Sequence, residues 1–501
     1  MKPAPPAHPG EEIELKLALP GSDPSSLGRR LAGTPILARR KATHLQLHNV
    51  YYDTPEQDLR RQRVALRIRR VGGDAHPQWL QTLKTGGRGD SALSQRGEWE
   101  TPVPDAALSA TALEATPWST IDPHGTVWAA LAPCFATTFE RTRWLVRRRD
   151  GSAVEVALDI GHIVAGDKRA PICELELELV AGSPAALFTV AQQIARTLAV
   201  LPVTTSKAER GYALAQDTLD QPLRAQPPKL SSRLTLHETM RRVLGEMFCQ
   251  FTANLNALRN SDDPEVVHQA RVGWRRFKSA VRLFKPALGA NTPPPWQPMQ
   301  ALLSILGELR DLDVARNETL PPLGDVYAGG DARRAAAWQA MTQAVAQATT
   351  LQRKAMRYAL QEPAVGATLL AATQWLDGLS TSAAPADALP EKNVSLRRWA
   401  RRRMVRLHED LQRARQQTDS PEQLHRVRIL AKRVRYGVEA LRALLAAKHT
   451  QRWYEQAVRL QTGIGATRDI MQAGAIVAGL ETDRGVVEFL RGVAVGREKQ
   501  Q

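Results

Sequence analysis

The chain of 501 residues is poor in cysteine and in long hydrophobic runs. Its three cysteines, Cys134, Cys173 and Cys249, are widely separated, which excludes a CxxC pair and a disulfide framework and favours small buried side chains. The sequence contains no run of about 18 apolar residues, so it predicts no membrane-spanning helix. The proline-rich segment 1–10 lacks the apolar core of a signal peptide. We therefore expect a cytoplasmic protein.

Acidic residues are fewer than basic ones, and most of this difference lies in one part of the chain. The whole sequence has 68 basic and 51 acidic residues, a net charge of +17. From residue 231 onward there are 40 basic and 26 acidic residues, a net charge of +14, so the first 230 residues carry only +3. The C-terminal part should therefore face a polyanion. Nucleic acid, anionic lipid and polyphosphate all satisfy this charge, and composition does not choose among them.

The first 210 residues contain short runs in which apolar and charged residues alternate with a period of two, which predicts β-strands. Eight strands are predicted, at Glu11–Leu19, Thr43–Thr54, Val64–Val71, Gln78–Thr85, Gln95–Thr101, Thr137–Arg148, Ala153–His162 and Ile172–Val180. Helical patterns occur at Ser25–Ala32 and Pro184–Ala199. Because eight strands can close into a barrel, residues 10–215 are predicted to form one barrel domain.

The rest of the chain is predicted to be helical. Prolines in residues 216–232 disfavour helix and central strand, so this segment is interpreted as a linker. Residues 233–500 have the 3.6-residue apolar period of helices. Two motifs recur in the same order: Pro264–Arg271 matches Pro421–Arg428, and Leu306–Asp311 matches Ile464–Asp469.

The repeat predicts two related helical bundles, at about 234–380 and 391–492. The expected fold class is therefore α+β multidomain. It combines an N-terminal eight-stranded antiparallel β-barrel, a tunnel with flanking helices, with a C-terminal all-α domain of two repeated bundles. The recurring dipeptides Arg310-Asp311 and Arg468-Asp469 are interpreted as buried ion pairs that fix a helix end.

Charged side chains share one face of several strands. Glu12, Glu14 and Lys16 lie on one face of the first strand and their apolar neighbours on the other. The last strand has the same pattern with Glu174, Glu176 and Glu178, whereas the strands between them carry mostly cations: Arg67, Arg69, Lys84, Arg96, Arg141 and Arg143. These faces could be the solvated side of an antiparallel sheet. Segregation of the signs instead favours an inward-facing site with Mg²⁺ or Mn²⁺ on the carboxylates and a polyanion on the cations.

The run Glu12-Ile-Glu14-Leu-Lys16 resembles the ExExK signature of CYTH domains, also called triphosphate tunnel metalloenzymes. Four later stretches resemble the same family in order: Tyr51–Thr54, Leu66–Arg69, Cys173–Glu178 and Ser206–Gly211. The resemblance implies an inorganic triphosphatase, a hydrolase of phosphoric anhydrides that uses Mg²⁺ or Mn²⁺ and yields pyrophosphate and phosphate. Organic triphosphates are the alternative, because the family also includes class IV adenylate cyclases, thiamine triphosphatases and RNA triphosphatases.

The resemblance also implies roles for individual residues. Those implied in catalysis are Lys16, Glu12, Glu14 and Lys84. Those implied in phosphate binding are Lys16, Arg67, Arg69, Lys84, Arg141, Arg143 and Lys207. Those implied in metal binding are Glu12, Glu14, Glu174 and Glu176. The roles of Glu98, Glu100 and Glu178 stay open.

Basic residues form a stripe along one predicted helix and along its repeat. The first stripe consists of His268, Arg271, Arg275, Lys278 and Arg282, and the second of His425, Arg428, Lys432 and Arg435. A solvated helix face is the alternative, but like charges at this spacing repel each other. A Zn²⁺ site is disfavoured because neither a cysteine partner nor an HxxxH spacing is present.

This half resembles the CHAD domain, the conserved-histidine α-helical domain. The resemblance implies that long-chain polyphosphate binds to both stripes, through His268, Arg271, Arg275, Lys278, His425, Arg428, Lys432 and Arg435. The protein could then associate with polyphosphate granules. A non-catalytic polyphosphate- or RNA-binding protein is the competing hypothesis. Nucleic acid is disfavoured because Trp274 and Phe277, which could stack on bases, fall on the apolar side of their helix.

Overall fold

The computed structural model describes residues 10–73, 77–87, 91–379, 395–416, 420–462, 465–480 and 482–498. These residues pack into two compact units. The first contains the described residues up to Gln221 together with Leu360–Trp375, and the second contains the others. Residues 221–231, within the predicted linker, contain neither helix nor strand. The predicted bundle limits at 380 and 391 lie outside the described residues, and the domain limits stay a prediction.

All eight predicted strands are present in the first unit. They are β1 (Glu11–Ala18), β2 (Thr43–Asp53), β3 (Ala65–Val71), β4 (Gln78–Lys84), β5 (Leu93–Val103), β6 (Ala132–Arg147), β7 (Ala153–Ala165) and β8 (Lys168–Ala181), and a two-residue β9 (Leu201–Pro202) follows. Strands β6 and β8 begin earlier than predicted. Pro133 and Pro171 lie in the residues by which the observed strands exceed the predicted ones, and proline weakens the sequence signal for a strand.

The strands close into an antiparallel barrel, as predicted. Their order is β5-β4-β3-β2-β6-β7-β8-β1, and β1 also pairs with β5. Lys16 of β1 lies opposite Glu176 of β8, and Glu12 lies opposite Arg96 of β5. The charged strand β1 therefore lies between the acidic strand β8 and the cation-bearing strand β5.

The outer face of the barrel is apolar and covered by helices. Leu15 and Leu17 of β1 are fully buried in a cluster that includes Leu187 and Val190 of the helix Ala185–Ala195 and Leu370 from the segment Leu360–Trp375. Because successive side chains of a strand point to opposite faces, burial of the leucines outside places the charged residues of β1 inside. The barrel is thus inverted, with its hydrophobic core outside and its charges in the tunnel.

The two helices predicted in the barrel domain are present, and the second unit is helical, as predicted. In chain order they are α1 (Pro24–Ala32), α2 (Asp58–Arg61), α3 (Trp118–Ile121), α4 (Thr126–Ala129), α5 (Ala185–Ala195), α6 (Lys207–Ala215), α7 (Leu236–Ala257), α8 (Pro264–Leu288), α9 (Gln300–Val314), α10 (Gly324–Ala328), α11 (Ala332–Ala359), α12 (Pro363–Gly378), α13 (Leu396–Arg415), α14 (Pro421–Leu441), α15 (Ala447–Thr462), α16 (Gly465–Gly479) and α17 (Arg484–Glu498). In the described part of the chain, none of these helices is long and apolar enough to cross a membrane.

The repeated helices α8 and α14 begin in the same way. Asp263 caps α8 and Ser420 caps α14, and a proline follows each cap at the first helical position, where no N–H donor is needed. The two helices contact each other in the second unit. Arg276 of α8 is 2% exposed and lies 3.3 Å from Glu246 of α7 and 3.4 Å from Glu439 of α14. This buried arginine ties the three helices together.

Candidate active site and cationic cleft

The inner face of β1 presents alternating charges to the tunnel. Glu14 and Lys16 are 2% and 5% exposed, and Lys16 Nζ lies 2.9 Å from a carboxylate oxygen of Glu14. Both side chains are buried, so each depends on a partner of opposite charge to offset the loss of hydration. The second glutamate and the lysine of the ExExK run therefore form an ion pair with each other.

Two cations from neighbouring strands hold Glu12. Lys84 Nζ of β4 lies 3.0 Å from Glu12 and 3.0 Å from Glu98. Arg96 Nε of β5 lies 2.9 Å from Glu12, and its terminal nitrogen lies 2.5 Å from Glu14. Burial raises the pKa of Glu12, but Lys84 and Arg96 outweigh burial and hold that pKa well below its usual range. Glu12 is therefore ionised and oriented by two cations.

Arginines of β3 and β6 form longer ion pairs in the same tunnel. Arg67 lies 3.6 Å from Glu98 and 3.4 Å from the hydroxyl of Tyr51. Arg143 lies 3.5 Å from Glu155. These distances exceed those of strong charge-assisted hydrogen bonds, so both guanidinium groups keep donors for another anion.

Arg69 is the barrel arginine with the least compensated charge. Its Nε donates to the side-chain oxygen of Asn49 at 2.8 Å, and its guanidinium lies 3.5 Å from Glu100. Burial, followed by the nearby Arg67 and Arg141, lowers the pKa of Arg69 to about 10. An anion beside Arg69 would relieve this repulsion.

Three carboxylates from β7 and β8 meet at the other side of the tunnel. The closest oxygens of Asp159, Glu174 and Glu176 all lie within 4.8 Å of one another, and Asp159 is fully buried. Arg141 lies 2.7 Å from Asp159 and 2.5 Å from Glu176. We call Asp159, Glu174 and Glu176 the carboxylate triad.

Lys207 places its ammonium among the carboxylate triad. Its Nζ lies 2.7 Å from Asp159 and 2.9 Å from Glu176, and it also pairs with Glu174. Burial lowers the pKa of Lys207, but the three carboxylates outweigh burial and raise it well above its usual value. Burial likewise raises the pKa of Glu176, whereas Lys207 and Arg141 lower it to well below its usual range. The ammonium and the carboxylates therefore stabilise each other's charged forms.

The helix that carries Lys207 is fastened to the barrel. Ser206 caps α6, so Lys207 is its first helical residue. The Tyr212 hydroxyl donates to buried Asp53 of β2 at 2.7 Å. A Cβ on Gly211 would lie 2.2 Å from the ring of Phe135, so only glycine allows this approach of α6 to β6. The fixed position of α6 points Lys207 into the tunnel.

The charges of the tunnel balance. The cations of the network are Lys16, Arg67, Arg69, Lys84, Arg96, Arg141, Arg143, Lys207 and Arg210, and the carboxylates are Glu12, Glu14, Glu98, Glu100, Glu155, Asp159, Glu174, Glu176 and Glu178. The two sets are equal in number. Glu178 is the member with the weakest cationic support, since burial and then Glu12 and Glu98 raise its pKa to about 7.

The structure gathers every barrel residue that the sequence proposes for the site, but it groups them differently. Glu174 and Glu176 meet Asp159, while Glu12 and Glu14 contact Lys84, Arg96 and Lys16 instead. Asp159 is a member of the cluster that the sequence analysis does not name. Its inward orientation is indicated by the sequence, because Leu158 and Ile160 on either side of it point to the apolar face.

Arg210 is a second residue of the site that the sequence analysis does not name. It lies 3.4 Å from Glu174 and donates to the carbonyl oxygen of Pro171 at 2.6 Å. Arg210 follows Lys207 by three residues, so a helical reading of Ser206–Gly211 places both side chains on one face of α6. That spacing was the available signal.

The second unit contains a cationic cleft between α8 and α14, formed by Arg271, Arg275, Arg428 and Lys432. None of the ion pairs found among the described residues includes any of these four side chains. The Nε groups of Arg275 and Arg428 are buried without a hydrogen-bond partner. An unpaired buried donor is costly, so each of these two guanidinium groups keeps a donor that no group of the described residues satisfies.

The pKa values of the cationic side chains in and beside the cleft are lowered, which indicates that nearby carboxylates do not offset their burial. Burial, followed by Arg428 and Arg275, lowers the pKa of Lys432 to about 8. Burial and then Arg275 lower the pKa of Arg271, and burial and then Arg310 lower the pKa of His268. Each cationic form is destabilised first by burial and then by neighbouring cations, which outweigh the nearby carboxylates.

A cavity of about 190 Å³ opens beside the cationic cleft. Arg275, Lys278 and Lys432 line it together with the rings of Trp274 and Tyr436. Both rings are only 6% exposed, so they offer little surface for stacking on a base. The cavity therefore combines cationic side chains with apolar walls and offers little aromatic surface to a base.

Three predicted residues of the helical half lie differently from expectation. Arg435 pairs with Glu439 at 3.0 Å instead of joining the cleft. His425 is exposed, whereas its repeat His268 is half-buried. Arg310 pairs with Glu318 at 2.9 Å, so the ion pair observed there is not the expected one with its neighbour Asp311. Sequence periodicity places these side chains on a face but does not choose their partners.

Family models match both parts of the chain: the CYTH domain model matches residues 10–212 and the CHAD domain model matches residues 242–478. An inorganic triphosphatase of Haemophilus influenzae is 36% identical over 211 residues, which are 41% of this chain and 55% of that relative. The chain thus spans about half the length of this curated relative.

Solved structures resemble each part. The CHAD domain of the plant Ricinus communis is 28% identical with a TM-score of 0.47 and covers 56% of this chain and 92% of that one. A putative adenylyl cyclase from Hippeastrum with a dominant triphosphatase activity is 20% identical with a TM-score of 0.28 and covers 40% and 95%. The two family models, which agree with the closed barrel and the helical unit, identify a CYTH domain at residues 10–212 and a CHAD domain at residues 242–478 of this chain.

Proposed function

We propose that the barrel hydrolyses inorganic triphosphate to pyrophosphate and phosphate with the help of Mg²⁺ or Mn²⁺. The observation that carries this proposal is the tunnel itself, in which a carboxylate triad faces a row of buried cations. A relative 36% identical over the barrel region bears the name inorganic triphosphatase. Organic triphosphates, such as thiamine triphosphate or ATP for cyclisation, are the alternative substrates.

The carboxylate triad suits a divalent metal. Its three oxygens come from the adjacent strands β7 and β8 and lie within 4.8 Å of one another. Mg²⁺ and Mn²⁺ prefer such oxygen ligands. We therefore assign the metal to Asp159, Glu174 and Glu176, and assign Glu12 and Glu14, first expected among the ligands, to the orientation of Lys84 and Arg96. When bound, the metal would neutralise phosphoryl charge and activate water.

The cations would bind and orient the triphosphate. The proposed phosphate ligands are Lys16, Arg67, Arg69, Lys84, Arg141, Arg143 and Lys207, and Arg96 joins them because it reaches both Glu12 and Glu14. Lys16 and Lys84 act in catalysis by stabilising charge on the transferred phosphoryl group, since phosphoryl transfer depends mainly on positioning and electrostatics. Burial of these side chains strengthens their effect.

Phosphate release tests the enzyme. The full chain is incubated with inorganic triphosphate and Mg²⁺ or Mn²⁺, with EDTA as the metal-free control. We expect metal-dependent release of one phosphate per pyrophosphate. ATP and thiamine triphosphate, each in excess, test the alternatives, and faster turnover of either would reassign the substrate. Absence of metal-dependent phosphate release from all three compounds, together with absence of pyrophosphate release from ATP, would leave only a binding protein.

The CHAD domain has a second proposed role, the binding of long-chain polyphosphate in the cationic cleft. The supporting observation is that Arg275 and Arg428 each keep a buried, unpartnered Nε. His268, Arg271, Lys278, His425, Lys432 and Arg435 were proposed with them, and Arg435 is the weakest candidate because it pairs with Glu439. Titration with fluorescent polyphosphate should show affinity that falls steeply with salt. RNA at equal phosphate concentration is the competitor, and preferential RNA binding would replace this proposal.

A further inference from the structure

One cation of the tunnel occupies the place that the proposed metal needs. The ammonium of Lys207 lies 2.7 Å from Asp159 and 2.9 Å from Glu176, and it also pairs with Glu174. Its side chain is 7% exposed. One positive charge of the same chain therefore already lies among the three carboxylates.

The ammonium and a divalent metal cannot share these ligands. Mg²⁺ binds oxygens at about 2.0–2.1 Å, so three carboxylates around one ion must close to roughly 3 Å from one another. The oxygens now lie within 4.8 Å of one another with Lys207 among them. Contraction around an ion removes the space that the ammonium fills, and the two positive charges would repel each other.

The backbone of α6 is held against the barrel, so it cannot easily move away to carry Lys207 out of the triad. The Tyr212 hydroxyl bonds Asp53 at 2.7 Å, and Gly211 packs directly against the ring of Phe135. Lys207 stands at the first turn of α6, where its flexible side chain can rotate while the helix stays fixed. Displacement of the ammonium is therefore a side-chain movement into the tunnel.

The charge balance decides when that movement is favourable. Among the described residues, the tunnel network has as many cationic side chains as carboxyl side chains, so a metal ion alone would add positive charge that no further carboxylate offsets. Triphosphate brings several negative charges and would accept the released ammonium. Metal and triphosphate then compensate each other in a buried site, whereas either alone would leave charge unpaired.

We propose that Lys207 is an exchangeable internal counter-ion: a divalent metal displaces its ammonium from the carboxylate triad, and the ammonium moves to the triphosphate. This inference rests on the proposed triphosphatase function. It makes metal binding weak in the free protein and strong in the presence of triphosphate, because the same lysine opposes the first event and supports the second.

Mn²⁺ binding to the metal-free full chain tests the inference without turnover. Calorimetry or the electron paramagnetic resonance signal of free Mn²⁺ compares the wild type with Lys207→Met. We expect Lys207→Met to bind Mn²⁺ roughly tenfold more tightly in the absence of triphosphate, since one buried competitor has been removed. The control is Lys168→Met, which removes another lysine of the same unit, one that pairs with Asp217 away from the triad.

A second arm measures the coupling. The diimido analogue of triphosphate, which resists hydrolysis, should strengthen Mn²⁺ binding in the wild type much more than in Lys207→Met. Circular dichroism checks the fold, and Lys207→Gln, which keeps a polar side chain, carries the same expectation if the methionine variant is unstable. Equal or weaker Mn²⁺ binding by both folded variants would overturn the inference. Tighter Mn²⁺ binding by the variants, with no triphosphate hydrolysis by the wild type, would support the exchange and refute the proposed substrate.

Discussion

In the barrel, Lys207 and Arg141 lie against carboxylates. Burial lowers the pKa values of these two cations, but the carboxylates outweigh burial and raise them above their usual values. In the cationic cleft, Lys432 and Arg428 are also partly buried, but their neighbours are cations and their pKa values fall. The same residue types therefore carry opposite electrostatic signatures in the two domains. For these four cations, a raised pKa marks a charge that nearby carboxylates compensate, and a lowered pKa marks burial that nearby carboxylates do not offset.

The difference suits the two proposed ligands. A compensated tunnel holds its side chains in place before the substrate arrives, which is the preorganisation that catalysis requires. An uncompensated cleft gains most from a ligand of high charge density and needs no exact geometry, which suits a polymer. Under the two proposed functions, the barrel would act on one small anion and the cleft would hold a long one.

The largest expected effect tests whether the barrel is inverted. Leu15→Asp places a carboxylate on the fully buried outer face, where no cation compensates it, and should lower the free energy of unfolding by several kcal/mol. Glu14→Gln, one residue earlier on the inner face, should leave the barrel folded. Thermal unfolding followed by circular dichroism compares the two. A stable Leu15→Asp protein would contradict the assignment of faces.

The next effect concerns turnover in the compensated tunnel. Lys16→Ala and Glu14→Gln should each reduce kcat for triphosphate roughly 100-fold or more, because each removes a preorganised charge beside the transferred phosphate. Lys168→Met is the matched control, since Lys168 pairs with Asp217 outside the network. Steady-state kinetics with Mg²⁺ measure the loss. Wild-type kcat in both tunnel variants would remove the catalytic assignment.

Polyphosphate affinity tests whether the cleft or only its net charge matters. Arg275→Glu combined with Lys432→Glu should weaken binding roughly 100-fold, because two unpaired buried cations are reversed. Arg397→Glu combined with Arg401→Glu, at exposed positions of α13, changes net charge equally and should weaken it far less. Fluorescence titration of the full chain at fixed salt compares them. Equal losses would indicate a diffuse basic surface.

The smallest effect follows from the pKa of about 8 at Lys432. The lysine loses its proton as pH rises through this value, while a bound polyanion favours the protonated form, so affinity for polyphosphate should fall a few-fold between pH 7 and pH 9. Lys432→Arg stays protonated throughout and should be nearly independent of pH. Titrations at constant ionic strength measure both proteins. A wild-type affinity that stays constant over this range would show that Lys432 is not in the binding site.

Most of the fold could be predicted from the sequence. The eight strands follow from two-residue alternation, which appears wherever one face of a strand is charged and the other apolar, as at Glu14 and Leu15. The early parts of β6 and β8 were missed because Pro133 and Pro171 weaken the strand signal. The pairing of β1 with β5 was also not predicted, because alternation contains no information about neighbours.

The sequence predicts most of the residues of the candidate site, but it does not predict which of them contact each other. Glu174 and Glu176 were expected beside Glu12 and Glu14, but they meet Asp159, since β7 and β8 are paired along their length. The position of Lys207 among these carboxylates depends on where α6 docks. Its helical sequence gives the face that Lys207 and its neighbours share, not the strand against which that face rests.

The order and spacing of residues by themselves determined two domains of different class, the charged and apolar faces of each strand, and the recurrence of basic stripes on α8 and α14. Those features depend on local geometry, since strands repeat every two residues and helices every 3.6. Tertiary structure alone decided that Lys207 neutralises the carboxylate triad and that Lys432 faces other cations. Partners in space are chosen by packing of distant segments, and the electrostatic state of a buried charge depends on those partners rather than on its sequence neighbours.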